Sequence, residues 1–205
     1  MSETAWGQGI QSRKEQRQMK RQALLQTAAK TFNEIGFHQT TLDDLAQRLH
    51  VTKPTLYYYI KNKDDILFEC NRLGLERMKH ALAIAEEQGK NGREKLRILL
   101  RFYTEVLTED IGACLVLSGD QALTEENRAK LRSTRLELDR AVRRILEEGI
   151  QDGSIAACNP KLATFAIYGA FNWVAHWYNQ EGELTPMEIA DQIFQLFENG
   201  LAPRV

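Results

Sequence analysis

A short stretch near the N-terminus, residues 52–63, concentrates side chains that can contact a polyanion. It contains Thr-Lys-Pro-Thr-Leu-Tyr-Tyr-Tyr-Ile-Lys-Asn-Lys in that order. Lysine attracts phosphates, threonine and tyrosine hydroxyls hydrogen-bond phosphate oxygens, and apolar groups contact thymine methyls. Three consecutive tyrosines on a short helix cannot all be buried, so we expect Tyr57 and Tyr58 outside and Tyr59 partly inward. The stretch therefore indicates nucleic-acid binding.

Two helical patterns on either side of a short break must position these side chains. Apolar residues share one face of the first pattern (Leu42, Leu45, Ala46 and Leu49) and one face of the second (Leu56 and Ile60). This arrangement is typical of a helix-turn-helix, whose second helix enters the major groove of DNA. Thr41 and Asp44 resemble a capping box, and Thr52 suits the N-cap of the second helix, with Pro54 in its first turn.

The turns around this unit carry their own signals. Gly36 ends the preceding helix, where a positive φ is usually needed. His50 occupies a turn position that also favours a left-handed backbone, which costs a non-glycine residue about 1–2 kcal/mol. Val51 is expected to pack on the core side of the turn.

Charge is distributed unevenly along a chain whose net charge is −1. Residues 11–63 contain ten Lys or Arg but four Asp or Glu, while the other residues carry seven more acidic than basic side chains. One end of the molecule is therefore expected to meet a polyanion. The basic half of the first helix is either a solvated helix end or a further contact with DNA.

The remaining sequence predicts an all-α protein of about nine helices. Apolar residues recur three and four apart, no segment alternates as a half-buried strand does, and only four prolines occur. Beyond the helix-turn-helix, helices are expected at 12–35, 63–87, 93–107, within 110–123, and at 125–152, 161–180 and 187–201. No signal peptide or membrane span is evident, so a cytoplasmic protein is expected. The three scattered cysteines indicate reduced thiols, not a metal site or a disulfide framework.

Residues 20–70 resemble the DNA-binding domain of the TetR family of transcriptional regulators, most specifically through Thr-Leu-Tyr-Tyr-Tyr-Ile-Lys-Asn-Lys at 55–63. The resemblance implies that the third helix reads the major groove. Its departures are His50 for the usual glycine and Tyr59 for a frequent histidine. Carried over by position, the DNA contacts are expected at Thr41, Thr52, Lys53, Pro54, Thr55, Tyr57, Tyr58, Tyr59 and Lys63, with phosphates at Thr41 and Lys63.

Residues 1–11 are polar, contain glycine and show no periodicity, so a disordered arm is expected there. The resemblance implies that a DNA-binding domain (12–62) and a ligand-binding and dimerisation domain (63–205) follow. The eighth and ninth predicted helices carry more apolar surface than one face can bury. They are either deep core or, as the resemblance favours, the interface of a homodimer that reads a palindromic site.

Regulators of this family bind a small ligand in the helical body, and the resemblance implies a mostly apolar pocket here. Its expected residues are Phe102, Tyr103, Leu107, Cys114, Leu117, Tyr168, Phe171, Asn172 and His176. Asn172 and His176 share a helix face, and either bind the ligand, bond each other or lie at the dimer surface. The segments 171–178 and 184–190 look like those of fatty-acid or sterol-catabolism regulators, which suggests an acyl-coenzyme A as ligand.

Two functions are consistent with these patterns. One is a repressor released from a palindromic operator by a small hydrophobic ligand. The other is a DNA-binding protein of the same fold controlled by a protein partner, for which a fully packed body would be expected. No nucleophile elbow, zinc-protease motif or phosphate-binding glycine loop occurs, so we predict neither an enzyme nor a bound cofactor or metal.

Overall fold

The computed structural model describes residues 13–199 and is helical throughout that range. Its nine helices and single 3₁₀ turn confirm the all-α prediction, whereas the expected arm at 1–11 and the expected end of the last helix at 201 lie outside the described residues. The helices are α1 Arg13–Ile35, α2 Leu42–Arg48, α3 Lys53–Tyr57, α4 Lys63–Gln88, α5 Gly92–Thr108, α6 Asp110–Leu117, α7 Glu125–Gln151, α8 Pro160–Trp177 and α9 Pro186–Asn199; the 3₁₀ turn is Asp120–Ala122.

The helix-turn-helix forms because α1 supplies a floor on which two short helices can pack. Ala46 of α2 and Leu56 of α3 are buried against Leu24 and Phe32 of α1 and their neighbours in one core. Phe32 meets Phe37 edge to face at 5.1 Å, which closes the turn after α1. Five-residue α3 is too short to be stable alone, so tertiary packing determines its position.

Two turns adopt the left-handed backbone that their residues favour. Gly36 has φ +89° and His50 has φ +53°, as expected from their positions after α1 and α2. Val51 does not pack on the core as expected: it is 39% exposed. Its backbone N–H donates to the Ala46 carbonyl at 3.0 Å, so Val51 contributes to the turn through its backbone.

Helix α5 is the centre of the body and packs against α4, α6, α7, α8 and α9. The N-terminus of α5 and the C-terminal part of α7 approach so closely that a Cβ on Gly92 would lie 2.3 Å from the backbone nitrogen of Gly149. Glycine at these positions therefore fixes where α5 and α7 cross. None of the described helices combines the length and the apolar character that a membrane span requires.

The boundaries of two predicted elements change. Helix α8 ends at Trp177 instead of 180, because Tyr178 is extended (φ −60°, ψ 133°) and Asn179 organises a turn by accepting from the Glu181 N–H at 3.0 Å. The broken segment 110–123 contains α6 and the 3₁₀ turn, as its glycines suggested.

Helix α6 joins the body to α1 of the N-terminal helix-turn-helix unit. The Asn33 amide donates to the Asp110 carbonyl at 2.8 Å, and the Gln26 amide donates to the Asp110 carboxylate at 3.0 Å. The Cys114 thiol lies 3.9 Å from the Ala29 carbonyl. A displacement of α6 would therefore act directly on α1.

Candidate nucleic-acid interface and effector cavity

The N-terminus of α2 is held by the capping box that the sequence predicted. Thr41 Oγ accepts from the Asp44 N–H at 3.1 Å, and the Asp44 carboxylate accepts from the Thr41 N–H at 2.7 Å. The hydrogen bonds from Thr41 hold the pKa of Asp44 below its usual value. The Thr41 hydroxyl also donates to Asp44 at 2.7 Å, so its first role in the free protein is to fix α2.

Helix α3 begins after Thr52, which is its N-cap residue as predicted. The Thr52 hydroxyl bonds the Thr55 hydroxyl at 2.9 Å and makes no capping bond to a backbone N–H, contrary to the usual pattern. Lys53 Nζ donates to the Asp43 carboxylate at 2.8 Å, and this bond raises the pKa of Lys53. The polar groups at the start of α3 are thus held by short contacts at the surface, while Pro54 and Thr55 are exposed.

The three tyrosines are distributed as their spacing suggested. Tyr57 and Tyr58 are 52% and 64% exposed, whereas Tyr59 is half-buried against the core and meets Tyr58 edge to face at 5.1 Å. The Arg17 guanidinium lies over the Tyr58 ring, 5.0 Å from its centre. The basic half of α1 therefore continues the surface of α3. No sequence pattern indicated this contact, because Arg17 and Tyr58 are far apart along the chain.

Lys63 is placed differently from the other expected DNA contacts. Its ammonium donates to the Phe37 carbonyl at 2.6 Å and to the Thr40 carbonyl at 2.8 Å, and it lies 4.4 Å from the centre of the Phe37 ring. Partial burial lowers its pKa. Lys63 therefore connects the start of α4 to the loop after α1. The sequence could not predict this contact, because its acceptors are backbone carbonyls, which every residue carries.

A cavity of about 310 Å³ lies within the body, between α4, α5, α6, α7 and α8. Most of its lining is aliphatic, and the polar groups converge from α5, α7 and α8. It is lined by Leu75, Met78, Leu82, Leu99, Leu100, Tyr103, Leu115, Val116, Arg135, Leu138, Asp139, Val142, Tyr168 and Asn172.

Of the nine residues expected around a pocket, Tyr103, Tyr168 and Asn172 line this cavity. The others are placed elsewhere. Phe171 and Cys114 are buried in the core, and Leu107 and Leu117 line a separate polar crevice between α1, α6 and the end of α8. Phe102 is half-buried against the core and outside the cavity lining.

His176 does not join Asn172. It is exposed and stacks on Trp173, with ring centres 4.5 Å apart, while Asn172 faces Tyr103. Asn172 and His176 are four positions apart and share a broad helix face, but only the edge of that face nearest α5 lines the cavity.

The polar end of the cavity is organised by one internal hydrogen bond. The Tyr103 hydroxyl donates to Asn172 Oδ1, and the Tyr103 and Tyr168 rings meet edge to face at 5.8 Å. Burial raises the pKa of both tyrosines, and the nearby Asp139 charge raises that of Tyr168 further. Both hydroxyls therefore stay protonated at physiological pH and can donate.

Sequence reasoning missed the lining residues of α4 and α7. Leu75, Met78, Leu138 and Val142 lie on ordinary inner faces of amphipathic helices, which carry the same signal whether they meet a neighbour or a void. In the described part of the chain, no group of three or more His, Cys, Asp or Glu is placed to hold a metal ion.

A third surface is apolar and exposed. Large side chains along α8 follow each other at helical spacing and continue onto the connection to α9 and onto α9 itself. They are Leu162, Phe165, Trp173, Trp177, Leu184, Met187, Leu196 and Phe197, each at least 40% exposed. Gly169, in the same stripe on α8, has nothing within 4 Å of a built Cβ.

Comparison with known proteins gives these surfaces a context. Residues 24–70 match the family model for bacterial regulatory proteins of the tetR family, and residues 89–201 match that for the tetracyclin repressor-like C-terminal domain. A fatty acid metabolism regulator protein of Bacillus subtilis is 26% identical over 202 residues, covering 91% of this chain and 97% of that protein.

Solved structures agree on the fold. The TetR family regulator PfmR from Thermus thermophilus is 29% identical, with a TM-score of 0.79 over 88% of this chain and 99% of its own. AibR, solved with isovaleryl coenzyme A and operator DNA, is 24% identical, with a TM-score of 0.76 over 87% of this chain and 97% of its own. These relatives are regulators and not enzymes, and the chain belongs to the TetR family of DNA-binding transcriptional regulators.

Proposed function

We propose that the chain is a homodimeric repressor that binds a palindromic operator through α3 and is released by a small hydrophobic ligand. The observation that carries this proposal is that one chain combines an exposed recognition helix with an apolar cavity, and that α6, which lines the cavity, packs on α1 of the helix-turn-helix unit. In this arrangement Lys53, Pro54 and Thr55 face base edges, and Tyr57 and Tyr58 contact backbone and thymine methyls.

The exposed apolar stripe on α8 and α9 supports the proposed dimer. Trp173 is 62% exposed and Leu162 65%, and side chains of this size in a continuous stripe are typical of a protein interface. Gly169 allows a partner helix to approach the middle of α8 closely. Two copies related by a two-fold axis would present two α3 helices to half-sites about 34 Å, one DNA turn, apart.

The ligand acts through α6 in this proposal. Leu115 and Val116 line the cavity. Leu115 also packs closely on α4, since a Cβ added to Gly74 would lie 2.7 Å from Leu115 Cδ1. Asp110, at the other end of α6, holds α1. A ligand that binds more tightly when α6 is displaced would shift the population towards that conformation, in which the two α3 helices of the dimer are no longer spaced to bind DNA. The difference in affinity between the two conformations is sufficient for this shift.

An acyl-coenzyme A is the ligand class that we favour, with its acyl part in the cavity. The apolar lining is compatible with an acyl chain, and the Bacillus subtilis relative is named for fatty acid metabolism. Control by a protein partner is the alternative. The cavity counts against it, because a body without a ligand is expected to be filled.

Binding-site selection followed by fluorescence anisotropy tests the recognition surface. Tyr57→Ala and Tyr58→Ala are expected to weaken binding to the selected palindrome about tenfold without lowering the melting temperature, because both side chains are largely exposed. Thr55→Ala is expected to change the selected consensus. Unchanged affinity and consensus in all three variants would contradict the proposed surface.

The oligomeric state tests the dimer. Trp173→Arg is expected to yield a monomer, as measured by light scattering, that loses high-affinity operator binding. Leu136→Arg is the matched control, since Leu136 is 44% exposed on α7 and outside the stripe. A wild-type monomer, or equal effects of both variants, would contradict the proposed interface.

A further inference from the structure

The first part of α1 extends beyond the core of the helix-turn-helix unit. The first buried residue of α1 is Leu24, so about three helical turns, residues 13–23, precede the core. Apart from Arg21, which is half-buried, every side chain in these turns is exposed. A helical segment without an apolar face to bury is either solvated or in contact with a polar partner.

The distribution of charge around these turns favours a partner. With 3.6 residues per turn, all the basic side chains of residues 13–23 fall within an arc of about 120°. This basic arc consists of Arg13, Lys14, Arg17, Lys20 and Arg21. Glu15, the acidic residue of these turns, lies outside the arc. A solvated helix end typically mixes charges of both signs on a face, whereas this face carries one sign.

The basic arc continues the inward face of α1. Leu24, Ala28 and Phe32 are buried in the core, and their angular positions around the helix axis fall within the same arc. The inward face of α1 therefore changes from basic to apolar at Leu24. Before that residue, the helix presents its charges on the side where α3 and α4 pack.

Two contacts show the direction in which the arc faces. The Arg17 guanidinium lies 5.0 Å from the centre of the Tyr58 ring on α3, and Arg21 pairs with Glu69 of α4 at 3.0 Å. Within residues 13–199, the three other members have no carboxylate partner: Arg13, Lys14 and Lys20. Positive charges spaced four apart, as from residue 13 to 17 to 21, repel each other along a free helix, and a polyanion would remove that repulsion.

We infer that the basic arc of α1 binds the phosphate backbone of DNA beside the base pairs that α3 reads, and that it adds affinity without adding sequence preference. Arg17 lies over Tyr58, which is proposed to contact the backbone, and Arg13 is about 6 Å further along the helix axis. Lysine and arginine contacts to phosphates carry no sequence information by themselves. The inference rests on the proposed recognition surface and adds a second element to it.

Fluorescence anisotropy with two duplexes tests the inference on the full-length protein. One duplex carries the selected palindrome and the other a scrambled sequence of the same length, each titrated at several salt concentrations. The α1 variant combines Arg13→Gln, Lys14→Gln and Lys20→Gln, so both residues with partners are kept. Its affinity is expected to fall about tenfold on both duplexes, with an unchanged selected consensus. The logarithmic salt slope should flatten by about 0.9 for each phosphate contact that is lost.

A matched control removes the same number of charges from the body. It combines Lys90→Gln, Arg132→Gln and Arg140→Gln, three exposed positions outside the helix-turn-helix unit. Affinity and salt slope should hardly change in this control, because solvent-exposed charges far from the DNA are screened. Neither variant should lower the melting temperature, since all six side chains are exposed.

The outcomes separate the inference from the recognition surface on which it rests. Unchanged affinity and salt slope in the α1 variant, or an equal loss in the control, would overturn the inference and leave recognition by α3 in place. A changed consensus would also overturn it, because the arc would then read bases. If the α1 variant weakens binding while Thr55→Ala, Tyr57→Ala and Tyr58→Ala have no effect, the recognition surface fails and the phosphate contact by α1 stands.

Discussion

The recognition surface on α3 and the cavity in the body both present tyrosines, but they hold them differently. Tyr57 and Tyr58 stand largely in solvent, with Arg17 over one ring. Tyr103 is buried and its hydroxyl is bonded to Asn172. The first surface keeps its donors available for a large charged partner, and the second orients a few donors inside an apolar space.

This difference explains why the sequence predicted the recognition surface better than it predicted the cavity. A short helix that is held to the core through Leu56, with Ile60 just beyond its end, leaves most of its other side chains at the surface, so local sequence nearly determines the recognition surface. The cavity is assembled from five helices, each contributing a few residues from a face that also builds the core. Substitutions can test this contrast at four levels of effect.

The largest loss of stability is expected from Phe171→Ala, which tests whether Phe171 belongs to the core and not to the cavity lining. Phe171 is fully buried and outside the cavity lining, so the change should lower the free energy of unfolding by about 3–5 kcal/mol. Its neighbour Asn172 lines the void, and Asn172→Ala should cost far less. Urea denaturation at one fixed protein concentration measures both, and similar losses would contradict the assignment.

Lys63→Ala tests a residue that the sequence placed on the recognition surface. Removing its ammonium leaves the Phe37 and Thr40 carbonyls without their donor, so stability should fall by about 1–3 kcal/mol. Lys61→Ala is the control, because Lys61 is exposed and should leave stability unchanged. If Lys63→Ala altered only the salt dependence of DNA binding, a phosphate contact would be its main role.

Thr41→Ala removes the cap of α2 and should cost about 1 kcal/mol near neutral pH. Because the pKa of Asp44 is lowered in the folded protein, its bond with Thr41 stabilises above the ordinary carboxyl pKa and is lost as the pH falls through the lowered value. The difference in stability should therefore narrow in acid, to what the pH-independent bond from the Asp44 N–H to Thr41 Oγ contributes. A difference in stability that is constant from neutral to acidic pH would contradict this coupling.

The smallest effect is expected from Asp43→Asn, which frees Lys53 from its surface partner. An exposed pair contributes little stability, so the melting temperature should hardly change. Operator affinity should rise by up to about threefold, and its logarithmic salt slope should steepen by about one, because Lys53 can then neutralise a phosphate. Anisotropy at several salt concentrations measures both, and weaker binding would show that Asp43 positions Lys53 productively.

Several parts of the fold follow from local chemistry and were predicted. Gly36 and His50 adopt the left-handed backbone that their turns require, and Thr41 with Asp44 closes α2. Helix boundaries at α4, α5 and α7 agree with the predicted ranges within one residue, because caps such as Asn62 and Thr124 act over three positions. The predictions for the packing of Val51 and for the last residue of α8 were wrong, because each depends on how neighbouring residues organise a turn.

The sequence by itself determined that the chain is helical, that its N-terminal quarter is basic and that α3 exposes Lys53, Thr55, Tyr57 and Tyr58. Those properties depend on periodicity, charge and contacts within a few residues. Only the tertiary structure decided that Lys63 bonds carbonyls 23 and 26 positions away, that Arg17 covers Tyr58, and that Tyr103 orients Asn172 in a cavity from which His176 and Phe171 are absent. These contacts join distant segments, and the way helices cross, not the pattern along any one of them, brings such groups together.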